Sequence, residues 1–233
     1  MTGAASERDI TVETIALNAP AAAALLAALL FGVSTPLAKL LVASATQYDK
    51  AAGSPQAIRL DIADWRSLIA AEPASLPEDA AEGAEMLYSS GTTGRPKGVR
   101  VAKPGAPLGT VSELFRRRVA LHGISADTVY LSTAPLYHSA PLRYNAMVHR
   151  CGGTSVVMPR FDAEQSLALI EAHRVTHSQW VPTMFVRLLR LPTETRARYD
   201  LSSHRFAVHA AAPCPVDVKR RMLEWWGPIV YEY

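Results

Sequence analysis

From Gln56 onward, short apolar runs alternate with segments of helical period. "AIRLDIADWRSLIAAEP" predicts a strand end followed by a helix, and the polar "ASLPEDAAEGA" predicts a connector. "EMLYSS" predicts a short apolar strand. "SELFRRRVALHGI" has helical spacing through Leu114, Val119 and Leu121. "DTVYLSTAP" and "TSVVMP" predict strands. Asp162 with Gln165 three residues on predicts a capped helix start, which "SLALIEAH" continues. "VTHSQWVP" predicts a strand, "TMFVRLLRL" a helix, "RFAVHA" a strand, "VDVKRRMLEWW" a helix and "PIVYEY" a strand. Alternating strands and helices predict an α/β protein whose mainly parallel sheet is covered on both faces. No internal repeat interrupts the alternation.

The first part reads differently. Ile15 to Ala38 carries no charge and is dominated by Ala and Leu. It exceeds the about 20 apolar residues that cross a bilayer. The preceding flank holds Glu7, Arg8, Asp9 and Glu13, unlike the basic flank of a signal peptide. Asn18, Pro20, Ser34, Thr35 and Pro36 weaken a span. Two readings stay open: a membrane helix with Lys39 holding the C-terminal part in the cytoplasm, or a buried or surface helix broken at Pro36. Within it, "AALLFGVSTPLAKLL" resembles the opening membrane helix of the drug/metabolite (EamA-type) transporters. A transporter would need further spans, and none follows.

Composition narrows the function classes. The 233 residues suit one large domain or two small ones, and 49% hydrophobic content can build a core. A net charge of +3 with scattered basic residues gives no footprint for nucleic acid. Arg116, Arg117 and Arg118 read as a solvated helix face. Cys151 and Cys214 stand in no CxxC pair and read as small apolar residues in a reduced, cytoplasmic compartment. His173 and His177 are four apart, but Val175 and Thr176 between them read as a strand start, so the pair is structural and no metal site is expected. Trp180, Trp225 and Trp226 read as core or partial interface, and Glu171 and Glu224 as solvated carboxylates.

One stretch carries chemistry: "YSSGTTGRPKGVRV", Tyr88 to Val101. Its glycines let backbone N–H groups turn toward an anion without a Cβ clash. Ser89, Ser90, Thr92 and Thr93 add hydroxyls, and Lys97 adds a charge that can reach phosphate oxygens. It is not a Walker loop, because Pro96 precedes the lysine and Gly98 follows it, and it lacks the spacing of the dinucleotide fingerprint. "VRVAKPGAP" downstream does not read as a helix start, so the loop itself must bind the anion. The density of hydroxyls and glycines favours this over a plain surface hairpin.

Tyr88 to Val99 resembles the signature of the adenylate-forming superfamily, which includes acyl-CoA synthetases, luciferases and the adenylation domains of peptide synthetases. "STAPLYHSAPL" is similar to the family's Pro-Leu-aromatic-His segment, "QWVPTMFVRLL" to its Val-Pro-Thr helix start beside the acyl site, and "FAVHAAAPCP" to the strand and turn beside the adenine and acyl pockets. In wording they are nearest to bacterial fatty acyl-CoA synthetases. The resemblance implies an α/β fold, part of the large N-terminal domain of the adenylate-forming fold, with mainly parallel sheets and flanking helices, preceded by the apolar helix. It implies an apolar segment over residues 1–45, foreign to the family, and an incomplete AMP-binding domain over 46–233.

The resemblance also implies a reaction. A fatty acid or other carboxylate attacks the α-phosphate of ATP, and a thiol, usually coenzyme A, then displaces AMP, with Mg²⁺ assisting. The phosphate loop falls on Ser89, Ser90, Gly91, Thr92, Thr93 and Gly94 with Lys97. Ala211, Ala212 and Pro213 fall beside the nucleotide, and His138 at the mouth of the acyl tunnel is the candidate catalytic residue. The family's next motif, Tyr-Gly-x-Thr-Glu, is due just where the sequence ends, and the small C-terminal domain with its catalytic lysine would lie beyond. The resulting expectation is a fragment of a carboxylate–CoA ligase with little turnover and marginal stability alone. The alternatives are a non-catalytic nucleotide or acyl-binding module acting with a partner chain, or a membrane protein defined by residues 15–38. Oligomeric state and chain length of the acid have no sequence signal.

Overall fold

The computed structural model describes residues 40–43, 58–61, 70, 80–83, 86–89, 97–100, 105–136 and 138–233. The chain divides into two compact units, Leu17–Arg117 and Arg118–Tyr233, each considered by itself.

In the first unit, β1 (Leu40–Ala43) pairs in parallel with β2 (Ile58–Asp61). The "IRLD" strand is the one expected there. Leu40 and Leu41, the end of the transporter-like stretch, lie in a strand rather than a helix. β3 (Met86–Ser89) is the expected apolar strand, and it pairs antiparallel with β4 (Lys97–Arg100). The strand at β4 was not expected, since Lys97 and Gly98 are poor strand formers. Pairing with β3 decides it. Residues 15–38, the boundary expected after residue 45, and the helix expected after β2 lie outside the described residues, apart from Ala70, which is helical. Among the described residues, no helix is long and apolar enough to cross a membrane.

Helix α1 (Glu113–His122) follows the expected span and leads across the unit boundary into the second unit. Its apolar positions are less buried than their spacing suggests: Leu114 is 58% and Leu121 75% exposed.

The second unit is a five-stranded parallel sheet in the order β6-β5-β7-β8-β9. Its strands are β5 (Val129–Ser132), β6 (Thr154–Val157), β7 (His177–Trp180), β8 (Phe206–His209) and β9 (Val230–Glu232). Between them run α2 (Ser139–Arg150), α3 (Ala163–Ala172), α4 (Pro182–Leu189), the short α5 (Thr193–Ala197) and α6 (Val216–Trp226). Parallel neighbours need such crossovers, which explains the strand–helix alternation of the sequence. The expected cap of α3 is present: Gln165 N–H donates to Asp162 Oδ1 at 2.9 Å. Pro182 opens α4, where its missing N–H costs nothing. Helix α2 was not expected as an element, because "HSAPL" carries a proline in what proves to be its first turn.

One sheet face packs against α3, α4 and α6. Leu131, Trp180, Ala207 and Val230 meet Leu167, Ile170, Phe185, Leu188 and Met222 there. Burying aromatic and aliphatic side chains of this size stabilises by about 1.5–3 kcal/mol each. On the other face His122 of α1 stacks on Tyr144 of α2, and Tyr144 stacks on Tyr130 of β5.

The central strand β7, "HSQW", is polar in sequence and fully buried. Each side chain finds a partner inside the unit. His177 Nε2 lies 2.9 Å from the carbonyl of His122, Ser178 Oγ accepts from Trp180 Nε1, and Gln179 Nε2 donates to the Tyr233 hydroxyl at 3.0 Å. Without those partners, burying such groups would cost several kcal/mol.

Candidate functional site

The chain runs from β5 out to β6, then back past β5 to β7. The crossovers beside β5 therefore leave in opposite directions. In open parallel sheets this switch point, at the carboxyl ends of the strands, is where ligands bind. The residues leading from it are Thr133, Ala134 and His138 after β5, and Val181 and Pro182 after β7.

Polar contacts brace this edge. Thr133 Oγ1 donates to the Gln179 carbonyl at 2.5 Å and touches Met184 Sδ at 3.4 Å. Asn145, buried on α2, donates through Nδ2 to Ser132 Oγ at 3.0 Å and to the Pro141 carbonyl at 2.7 Å. It thereby ties the end of β5 to the first turn of α2, the two ends of the loop that carries His138. Gln179 bridges β5 and the end of β9, with Oε1 3.4 Å from the Tyr130 hydroxyl and Nε2 on the Tyr233 hydroxyl. Burial pushes the Tyr130 and Tyr233 hydroxyls above their ordinary pKa, so both stay protonated donors. At the end of β9, Lys219 Nζ donates to Glu232 Oε2 at 2.5 Å. That hydrogen bond holds the Glu232 carboxyl below its ordinary pKa. His209 lies fully buried beside it, Nε2 3.7 Å from Glu232 Oε2, and burial lowers its pKa.

His138 is the N-cap residue of α2, exposed and extended at φ −83°, and its side chain makes no capping hydrogen bond. Its backbone N–H donates to the Pro135 carbonyl at 3.1 Å. Ala211, Ala212 and Pro213 form the exposed turn after β8. Ala211 has φ +74°, a left-handed conformation that costs a non-glycine residue about 1–3 kcal/mol. The second unit thus brings His138 and Ala211–Pro213 to one edge of one sheet. In the first unit Ser89 and Lys97 are register partners at the end of the β3–β4 ladder. Ser90, Gly91, Thr92, Thr93 and Gly94, between them in sequence, lie outside the described residues.

Thr133, Asn145, Gln179, Lys219, Glu232 and Tyr233 escaped sequence reasoning as parts of this edge. Asn145 and Gln179 give no local signal, because they act on residues far away in sequence. Glu232 and Tyr233 stand at the end of the last predicted strand, a position that could have marked them. His173 and His177 do not converge: His173 caps the end of α3, and His177 is committed to the His122 carbonyl and Thr176. Burial raises the pKa of both cysteine thiols, which makes them poor nucleophiles.

Comparison with known proteins gives a consistent picture. The profile of a family described as AMP-binding enzyme matches residues 16–233. The 4-coumarate–CoA ligase 5 of Oryza sativa subsp. japonica is 36% identical over 156 residues, which is 65% of this chain and 28% of that protein. The 4-hydroxybutyrate–CoA ligase 2 of Metallosphaera sedula is 33% identical over 161 residues, 68% of this chain and 28% of that protein. The crystal structure of ATP-bound MatB from Rhodopseudomonas palustris has a TM-score of 0.62 at 25% identity, covering 84% of this chain and 39% of that one. The α/β arrangement, a parallel sheet with flanking helices, matches that of the N-terminal domain of adenylate-forming enzymes. The chain spans less than a third of the length of the two ligases it matches.

Proposed function

The chain belongs to the AMP-binding enzyme family, and from that premise we propose that its residues form nucleotide- and acyl-binding parts of an ATP-dependent carboxylate–CoA ligase. One carboxylate oxygen attacks the α-phosphorus of ATP. The bond to the bridging oxygen of the β-phosphate breaks, and pyrophosphate leaves. The thiolate of coenzyme A then attacks the acyl carbon, and AMP leaves.

Charge builds on phosphate oxygens in the first step, so the protein's task is to meet it with pre-set N–H groups and cations. Ser89 to Gly94 and Lys97 supply these. The observation that carries the reading is the β3–β4 ladder. It pairs Ser89 with Lys97, so the glycine- and hydroxyl-rich loop between them is closed at its base and ends on a cation. His138, leading from the switch point, faces the reacting carboxylate. Ala211 to Pro213 border the nucleotide at the same sheet edge. Mg²⁺ is expected by family resemblance, but among the described residues no His, Cys, Asp and Glu cluster is arranged to hold a metal.

The acid is a fatty or other hydrophobic carboxylate. The two matched ligases are named for an aromatic and an aliphatic acid, which argues for a panel with both kinds. Calorimetric titration with ATP and carboxylate-dependent ATP–pyrophosphate exchange test the proposal. Lys97→Ala is expected to weaken ATP binding about 10–100-fold, the loss of one hydrogen bond to a charged group. ATP binding that is absent, or indifferent to Lys97→Ala, overturns the nucleotide reading. Exchange is expected to stay low for every acid, and substantial exchange overturns the expectation of little turnover from this chain alone.

A further inference from the structure

Helix α2 turns a polar side chain toward the sheet among neighbours that are mostly apolar. Asn145 is 4% exposed and shares the buried positions of that helix with Pro141, Tyr144, Met147 and Val148. Its Nδ2 donates to the Pro141 carbonyl at 2.7 Å and to Ser132 Oγ at 3.0 Å. A carbonyl can only accept, so Pro141 by itself fixes which way the amide points. The other end, Oδ1, is buried and has no hydrogen-bond partner.

An unpaired buried acceptor destabilises a fold. A leucine, nearly the same in shape, would avoid that loss and would strand neither acceptor. The Pro141 carbonyl keeps the helical bond from the backbone N–H four residues on. The Ser132 hydroxyl keeps its hydrogen bond with Tyr130. Asparagine therefore gives the fold no stability that leucine would withhold. The placement of its two acceptors shows what it does instead. Ser132 is the last residue of β5, and Pro141 lies in the first turn of α2. Between them the chain passes through His138, the exposed N-cap residue of α2. Thr133 holds the start of this passage to β7 through the Gln179 carbonyl. Asn145 holds its two ends to each other from inside the fold.

We propose that Asn145 is a positioning residue that sets where His138 stands at the sheet edge. Site residues need supporting bonds of this kind to keep one geometry, and stability is commonly lost in exchange. The functional weight of that position rests on the reading of His138 as the residue that faces the carboxylate. The tie itself does not depend on it.

Asn145→Leu in the intact chain is the test, with nitrogen-15 relaxation of the backbone amides as the measurement. In the parent chain the His138 amide is expected to be ordered like helix α2, with an order parameter of about 0.85. In Asn145→Leu it is expected to fall below about 0.6 or to broaden through millisecond exchange. The amides of β5, and those of α2 beyond its first turn, are expected to stay as they were. The melting temperature is expected to hold or rise, since no partner is stranded. Ser132→Ala removes the β5 end of the tie and is expected to loosen His138 as well. Adding Asn145→Leu to Ser132→Ala is expected to loosen it no further, because both changes cut one connection. Any of four results overturns the inference: a His138 amide already mobile in the parent, one equally ordered in Asn145→Leu, loosening that spreads through α2, or additive effects of the two substitutions. A melting temperature lower by several degrees in Asn145→Leu would make the residue a brace of the fold and overturn it too. Absence of ATP binding by the parent chain would count against the ligase reading and leave this one standing.

Discussion

Buried imidazoles contribute to the acid side of this protein's stability. His204 has its pKa lowered from the ordinary 6.5 to about 3 by burial, and burial also lowers those of His122, His149, His177 and His209. The unfolded chain takes up a proton at His204 as pH falls through about 6.5, and the folded chain does not until about 3. The stability is therefore fully present above 6.5 and is lost progressively as pH falls from there to about 3. One such group gives a slope of about 1.4 kcal/mol per pH unit. Calorimetric melting temperature is expected to fall on acidification below neutrality, and His204→Phe to flatten that fall. An unchanged slope in the variant would show that His204 is not the titrating group. At this scale the cap residue Asp162 was legible in the sequence, because an N-cap works on its own next turn. Asn145 and Gln179 were not, because their partners Ser132, Tyr130 and Tyr233 are assembled only by the sheet.

At the scale of elements, the five strands of the parallel sheet were readable from their alternation with helices, and α1, α3, α4 and α6 from period and caps. The turn between α2 and β6 shows what the pattern could not. Gly153 follows Gly152, and a Cβ at Gly153 would lie 2.8 Å from the Thr128 carbonyl oxygen and 2.8 Å from Val148 Cγ1. The backbone of β6 is drawn that close to β5 by the bond from Thr154 N–H to the Thr128 carbonyl at 2.8 Å. Gly153→Ala is expected to destabilise by about 1–3 kcal/mol through overpacking against backbone that cannot yield. Urea unfolding measures it, and a midpoint equal to that of the parent chain refutes the close packing. Gly152, at φ +83°, is glycine for a different reason, its conformation rather than its space.

For the molecule as a whole, the order of strands matters more than their number. β6 and β9 are the edges of the five-stranded sheet, and Val157 on β6 is 41% and Tyr231 on β9 48% exposed. Exposed apolar residues on strand edges invite pairing between chains. Concentration-dependent association is therefore expected in sedimentation, and Val157→Lys is expected to reduce it. Association of equal strength in that variant would exclude the β6 edge as the contact. The same strand order creates the switch point beside β5 on which the functional proposal relies. No local pattern announces it, since β5-β6-β7 in sequence becomes β6-β5-β7 in space.

The sequence by itself determined the alternation of strands and helices, the α/β class, the glycine-rich loop and the family to which those residues belong. These are local properties, written in periods of two and 3.6 and in the spacing of one short loop. Tertiary structure alone decided that polar "HSQW" is the buried centre of the sheet and that Ser89 and Lys97 face each other across a ladder. Each of these depends on partners distant in the chain. A buried polar group is stable only when such a partner arrives, and the fold, not the local sequence, determines which partner that is.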